Sequence, residues 1–165
     1  MKRRTLLVTA LLLAFSATAG AQLPDFNGAW RLDESASEIT TGDGLAGLGT
    51  HAPPNLYITQ RRDGSIIIAS RLSGSEPRAY QIGGETWVEP PPPGEREFVI
   101  RSRVRGPSLI SEGSGEVGGE IVTVREVLTI SRTGNSISLE VTTTRSFGPE
   151  TNKLVYTRAG GGGAR

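Results

Sequence analysis

Phe26-Asn27-Gly28-Ala29-Trp30-Arg31-Leu32 is the run from which the rest of the chain is read. Its even positions carry Phe26, Gly28, Trp30 and Leu32, and Asn27, Arg31 and Asp33 alternate with them. Successive side chains of an extended chain point to opposite faces, so a period of two marks a strand with one face buried. A second strand-like run, Leu154-Val155-Tyr156-Thr157, followed by Arg158, lies near the other end of the chain. Everything between these two runs has to connect them.

Upstream, the chain opens Met1-Lys2-Arg3-Arg4, continues with an apolar stretch from Leu6 to Ala17 and reaches Ala19-Gly20-Ala21. A basic start, a short apolar core and an A-x-A site read as a signal peptide, residues 1–21, cleaved after Ala21. Arg3-Arg4-Thr5-Leu6-Leu7 loosely resembles a twin-arginine signal, but the Leu-rich core fits the general secretory route better. The expected address is periplasmic or secreted. The apolar stretch is too short to span a bilayer and nothing later resembles a span, so no stable membrane insertion is expected.

Removing residues 1–21 takes away three basic residues and no acidic one, leaving 15 basic against 17 acidic and a net charge of −2. Binding to a polyanion draws on a surplus of basic groups, and without one nucleic acid is not an expected partner. The chain has no cysteine, which excludes a disulfide framework and a Cys-linked lipid anchor. What remains is about 140 residues, enough for one core. The expected organisation is one domain over 22–158, acting as a monomer, followed by a disordered Gly-rich tail at 159–165.

Downstream of the first strand, the alternation dissolves between Asp33 and Pro54, with Leu45 and Leu48 as apolar anchors. A connection this long is either a folded-back lid or a floppy loop. Leu56, Ile58 and Gln60 then share a phase, as do Ile66, Ile68, Ser70 and Leu72. A two-residue Asp63-Gly64 turn would set these phases on opposite faces. A three-residue loop, Arg62-Asp63-Gly64 with Gly64 left-handed, pairs Arg61 with Ser65 and brings Ile58 opposite Ile68, and this register is the one adopted.

A short strand from Arg78 to Ile82 ends at Gly83-Gly84, and Thr86-Trp87-Val88 follows. Pro90 to Pro93 interrupts the sheet as a stiff connector, since proline donates no ladder hydrogen bond. Phe98, Ile100, Ser102 and Val104 then face one way, and Arg101, Arg103 and Arg105 the other, as a solvated outer face rather than an anion patch. Gly106-Pro107 and Gly118-Gly119 bracket the run Leu109 to Glu116. Val122, Val124, Leu128 and Ile130 share a face, Thr133-Gly134-Asn135 turns the chain, and Ile137, Leu139, Val141 and Thr143 continue. The result is an all-β chain of eight to nine strands, a single antiparallel up-and-down barrel whose closure removes exposed edges.

Phe26-x-Gly28-x-Trp30-x-Leu32 with Ser37 beyond it, Gln60 before Asp63-Gly64, Tyr80 before Gly83-Gly84-Glu85, and Val155-Tyr156-Thr157-Arg158 at the end together resemble small exported bacterial proteins with a lipocalin-like, or calycin, barrel. That resemblance implies that Trp30 packs at the closed end of the barrel with Arg158 across its ring, a structural closure. The chain departs from the lipocalin pattern in having no cysteine pair and no clear amphipathic helix after the barrel.

Catalytic motifs are sparse. His51 is the only histidine and sits in the long polar connection beside Pro53-Pro54, without partners to hold it for a triad or a metal site. There is no G-x-S-x-G elbow, P-loop or dinucleotide fingerprint. No enzyme activity, cofactor or metal is therefore expected. The residue that stands out is Glu126, in phase with Val122, Val124, Leu128 and Ile130 and so expected to face inward. A Gly134-Asn135 turn pairs Thr133 with Ser136, sets Glu126 opposite Thr143 and makes Arg145 its diagonal neighbour. The expected ligand anchors are Glu126, Arg145 and Tyr80, around a small hydrophobic or amphipathic ligand held in the barrel. The competing readings are an ion pair at the wet mouth, a β-bulge that turns Glu126 outward, and an envelope interaction module with a solid barrel.

Overall fold

The computed structural model describes residues 23–40, 52–70, 77–88, 98–117 and 119–160. The expected leader, Leu45, Leu48, His51, Leu72, residues 90–93 and residues 161–165 lie outside the described residues. Among the described residues there are ten strands: β1 (Gly28–Leu32), β2 (Asn55–Gln60), β3 (Ser65–Ser70), β4 (Arg78–Gln81), β5 (Glu85–Val88), β6 (Phe98–Arg105), β7 (Ser108–Val117), β8 (Glu120–Ile130), β9 (Ser136–Arg145) and β10 (Gly148–Arg158), with a 3-10 helix at Glu34–Ala36. The count corrects the expected eight to nine. β5 is four residues long, too short for Thr86-Trp87-Val88 to display an alternation that marks it as a strand of its own.

All ten strands form one sheet in the order β4-β3-β2-β1-β10-β9-β8-β7-β6-β5, and the paired neighbours are antiparallel. β1 joins the two chain ends, with Trp30 opposite Leu56 on one side and Arg158 on the other. The edges of the sheet, β4 and β5, meet at a seam without a full ladder. There Ile82 bridges Ser102 in parallel, the Gly83 amide donates to the Ser102 carbonyl at 2.8 Å, and the Gln81 amide donates to Thr86 Oγ1 at 2.9 Å. The barrel is thus nearly closed.

Inward positions repeat every second residue. Along β8, Val122, Val124, Glu126 and Leu128 are buried, and along β9 so are Ile137, Leu139, Val141 and Thr143. They meet Phe26, Trp30, Leu56, Ile66, Ile100, Leu154 and Tyr156 in one core. Because the strands run antiparallel in sequence order, the connections alternate between two ends. One end carries the tight turns at 61–64, 82–84, 106–107 and 131–135 together with residues 23–27. The other, the mouth, is where β1, β3 and β5 end and β2, β4 and β6 begin.

Two turns test the expected registers. At the first, the Arg61 amide donates to the Ser65 carbonyl at 2.8 Å, Ile58 lies opposite Ile68, and Gly64 has φ 84°, which matches the three-residue loop. The second differs. The Ser131 amide donates to the Ser136 carbonyl at 2.9 Å and Ile130 pairs with Ile137, so four residues, Arg132 to Asn135, form the loop. Glu126 therefore lies opposite Val141, not Thr143. A slip of two residues keeps every side chain on its face, so the core pattern is indifferent to it.

The start of the long 33–54 connection is pinned rather than free. Asp33 caps the 3-10 helix through Ala36, Glu38 and Lys153 exchange backbone hydrogen bonds at 2.7 and 2.8 Å, and Asn152 Oδ1 accepts from the Thr40 amide at 2.6 Å.

Candidate functional site

Glu126 faces inward and is 3% exposed. A carboxylate there needs partners, and it has two from β4. Arg78 Nη1 donates to Glu126 Oε1 at 3.1 Å, and the Tyr80 hydroxyl donates to Glu126 Oε2 at 2.7 Å. Arg78 and Tyr80 are two residues apart on one strand and so project to the same side. Their side chains bridge the interior from β4 to β8, strands that are not neighbours in the sheet. The Arg78 side chain is only 10% exposed, and its guanidinium lies 6.0 Å from the Tyr80 ring centroid.

Each group in this trio is shifted. Burial raises the Glu126 carboxyl above its ordinary value, against the opposing pull of Arg78 and the Tyr80 hydrogen bond. Burial and the Glu126 charge push the Tyr80 hydroxyl well up, so it remains a donor. Desolvation pulls the Arg78 guanidinium down, but Tyr80 and Glu126 outweigh it and leave it raised. The trio is a charged pair with a neutral donor, held in a place where such a pair has a substantial desolvation cost.

The polar lining continues sideways. Ser111 lies directly across from Glu126 on β7, and its hydroxyl is 2.9 Å from that of Ser102 on β6, both buried. On β10, Tyr156 is fully buried, and its hydroxyl is the one buried side-chain polar atom without a hydrogen-bond partner among the described residues. Burial pushes the pKa of this hydroxyl above the ordinary phenol value, so it too stays protonated. Thr143 and Asn152 are also buried, and the apolar interior positions include Leu109, Val124, Leu128, Leu139 and Val141.

Of the residues singled out in the sequence, Glu126 and Tyr80 come together and Arg145 does not join them. Arg145 stands four residues beyond Val141 along β9, about 13 Å at the rise of an extended chain. Its guanidinium lies 6.0 Å from the Phe147 ring, and its charge adds to the Ser146 hydrogen bonds that lower the Glu120 carboxyl. The misplacement follows from the misread turn, which set the β8–β9 register two residues off. Arg78 was missed although its signal was available: once Tyr80 is on the inner phase, Arg78 shares it. Tyr156 was quoted only as a landmark of the last strand.

Trp30 and Arg158 meet at the turn end. Arg158 Cζ lies 4.3 Å from the Trp30 ring centroid, its Nη1 donates to the Asn27 carbonyl at 2.6 Å and its Nε to the Gly134 carbonyl at 3.0 Å. Trp30 Nε1 donates to the Phe26 carbonyl at 3.0 Å. Gly28 makes room for this arrangement, since a Cβ there would sit 2.6 Å from Arg158 Nη1. Gln60 ties down the entry, accepting from the Phe26 amide at 2.9 Å and donating to the Pro24 carbonyl at 2.8 Å. The Val155 amide donates to Ser37 Oγ at 2.9 Å. These landmark residues all fasten the barrel.

The outward arginines of β6 are engaged laterally: Arg101 with Glu85 at 2.6 Å and Arg103 with Glu112 at 2.7 Å, while Arg125 reaches Glu112 at 3.1 Å. The Arg103 hydrogen bond is the main reason that the Glu112 carboxyl lies below its ordinary value. Among the described residues, no helix is long and apolar enough to cross a membrane.

No protein-family model and no curated protein sequence matches the chain. Solved structures do. A zebrafish ileal bile acid-binding protein complexed with cholic acid aligns with a TM-score of 0.52 at 14% identity, covering 81% of this chain and 98% of that one. A variant of the REP1-NXSQ fatty acid transporter aligns at 0.54 and 14% identity, covering 82% and 98%. Human cRBP IV aligns at 0.53 and 20% identity, also covering 82% and 98%. At these identities the likeness establishes the fold: an antiparallel, nearly closed, lipocalin-like barrel.

Proposed function

We propose that this chain is an exported binding protein that holds one small apolar or amphipathic molecule inside the barrel, acting as a monomer and without catalysis. The Tyr156 hydroxyl carries this reading. A buried hydroxyl with no partner leaves a desolvation cost uncompensated, and an apolar interior with a few placed polar groups is how barrels orient small ligands. Arg78, Tyr80 and Glu126 supply a second polar point in the same interior. The neighbouring structures support the reading, since one was solved with cholic acid and another is titled a fatty acid transporter. Residues 33–40 start from the mouth, where a ligand would enter.

The test is extraction of the natively purified protein with organic solvent, followed by mass spectrometry. The expected result is an amphiphile in near-stoichiometric amount, or uptake of a fluorescent apolar probe by the emptied protein. A protein that yields no molecule and takes up no probe overturns the proposal. The second reading is an envelope interaction module with a filled barrel. The trio that spans the interior from β4 to β8 favours it, because a brace of that kind stabilises a packed barrel equally well.

A further inference from the structure

Among the described residues, the buried interior carries one negative charge, on Glu126, and one positive charge, on Arg78, and the two are in contact at 3.1 Å. Their sum is zero, and the second carboxylate oxygen is already occupied by the Tyr80 hydroxyl at 2.7 Å. The remaining polar group without a partner is the uncharged hydroxyl of Tyr156. A ligand that enters this interior meets a balanced pair and a neutral hydroxyl that both donates and accepts.

Resting on the interior-ligand reading, we infer that the barrel selects uncharged amphiphiles bearing a hydroxyl or carbonyl group, such as long-chain alcohols, over carboxylates. A carboxylate brought near Arg78 would place a second negative charge beside Glu126 in a medium of low dielectric, where like charges are not screened. It is accommodated only if one of the two acids takes up a proton. Glu126 is suited to accept it, since burial already favours its protonated form. An alkylammonium meets the converse difficulty at Arg78. An alcohol hydroxyl disturbs neither charge and gives Tyr156 the partner it lacks.

The experiment is calorimetric titration of the purified, delipidated protein with dodecanol, dodecanoate and dodecylammonium, between about pH 6 and about pH 8, in buffers of different ionisation enthalpy. Dodecanol is expected to bind roughly tenfold or more tightly than either ion near pH 8, with a flat pH profile. Dodecanoate affinity is expected to fall by up to about tenfold per pH unit, with uptake of about one proton. In Glu126→Gln, which leaves Arg78 without its counter-charge, dodecanoate gains on dodecanol and its pH dependence disappears. Dodecanoate that binds the parent as tightly as dodecanol with no proton uptake overturns the inference and leaves ligand binding intact. Failure of every probe, in the parent and the variant alike, overturns the interior-ligand reading and the inference with it. The parent titrations decide the matter even if the variant does not fold.

Discussion

Two residues of the interior and one at the turn end respond to substitution in distinguishable ways. Replacing Glu126 by Leu leaves the Arg78 guanidinium buried without its counter-charge, and chemical denaturation should show a loss of about 3–5 kcal/mol; a loss below about 1 kcal/mol would show that the pair is not buried in solution. Glu126→Gln should cost less, because the contacts to Arg78 and Tyr80 persist. It also changes the pH profile. Burial raises the Glu126 carboxyl above its ordinary value of 4.5, so the folded chain holds that proton more tightly than the unfolded chain. The contribution to stability is complete below the unfolded value and is lost as the pH rises through the folded one. The melting temperature of Glu126→Gln should accordingly fall less than the parent's on raising the pH from about 4.5, and superimposable profiles would contradict the assignment. Tyr156→Phe removes a hydroxyl that has no partner. The emptied protein should keep its stability or gain up to about 1 kcal/mol, whereas a loss of that size would reveal an unseen partner. At the turn end, Gly28→Ala forces a Cβ against Arg158 at a φ of 134°, a backbone conformation that costs of order 1–3 kcal/mol for a residue with a side chain.

At the scale of elements, the unpaired seam is the weak line of the barrel. β4 and β5 are short and joined by the Gln81–Thr86 hydrogen bond, with the Ile82 bridge and the Gly83 hydrogen bond reaching Ser102 of β6, instead of by a ladder. Native-state amide exchange should find them opening well before β7, β8 and β9, whose ladders run eight to ten paired residues; equal protection across the sheet would contradict this. The same elements explain what the sequence could and could not disclose. The Arg61–Ser65 turn was legible because the alternative loop would have thrown Ile58 and Ile68 onto opposite faces, a conflict visible in the pattern. The Ser131–Ser136 turn was not, because its two candidate registers differ by two residues and bury the same side chains. That ambiguity carried Arg145 into the site and left Arg78 out. Contact between Arg78 and Glu126 joins strands 48 positions apart in sequence, across an interior whose width no local alternation encodes. Glu126 and Tyr80, by contrast, declared themselves through the phase of their own strands.

Over the whole molecule, labour divides between the two ends. The turn end is fastened by Trp30, Arg158, Gly28 and Gln60, and the first strand that fixed the fold serves closure. The mouth is where β1, β3 and β5 end, and the polar trio lies in the interior between the two ends. The central claim is that this interior holds a ligand, and one substitution addresses it. Ser111 is buried beside Glu126, so Ser111→Phe places a ring where a ligand would lie. The decisive measurement is titration of the parent and Ser111→Phe with dodecanol, alongside their thermal melts. The account predicts one molecule bound per parent chain, an affinity at least about tenfold weaker in Ser111→Phe, and a melting temperature close to the parent's, since a ligand-holding interior has room for the ring. A variant that unfolds for want of room, set against a parent that binds nothing, would show a barrel already packed with its own side chains and would contradict the claim.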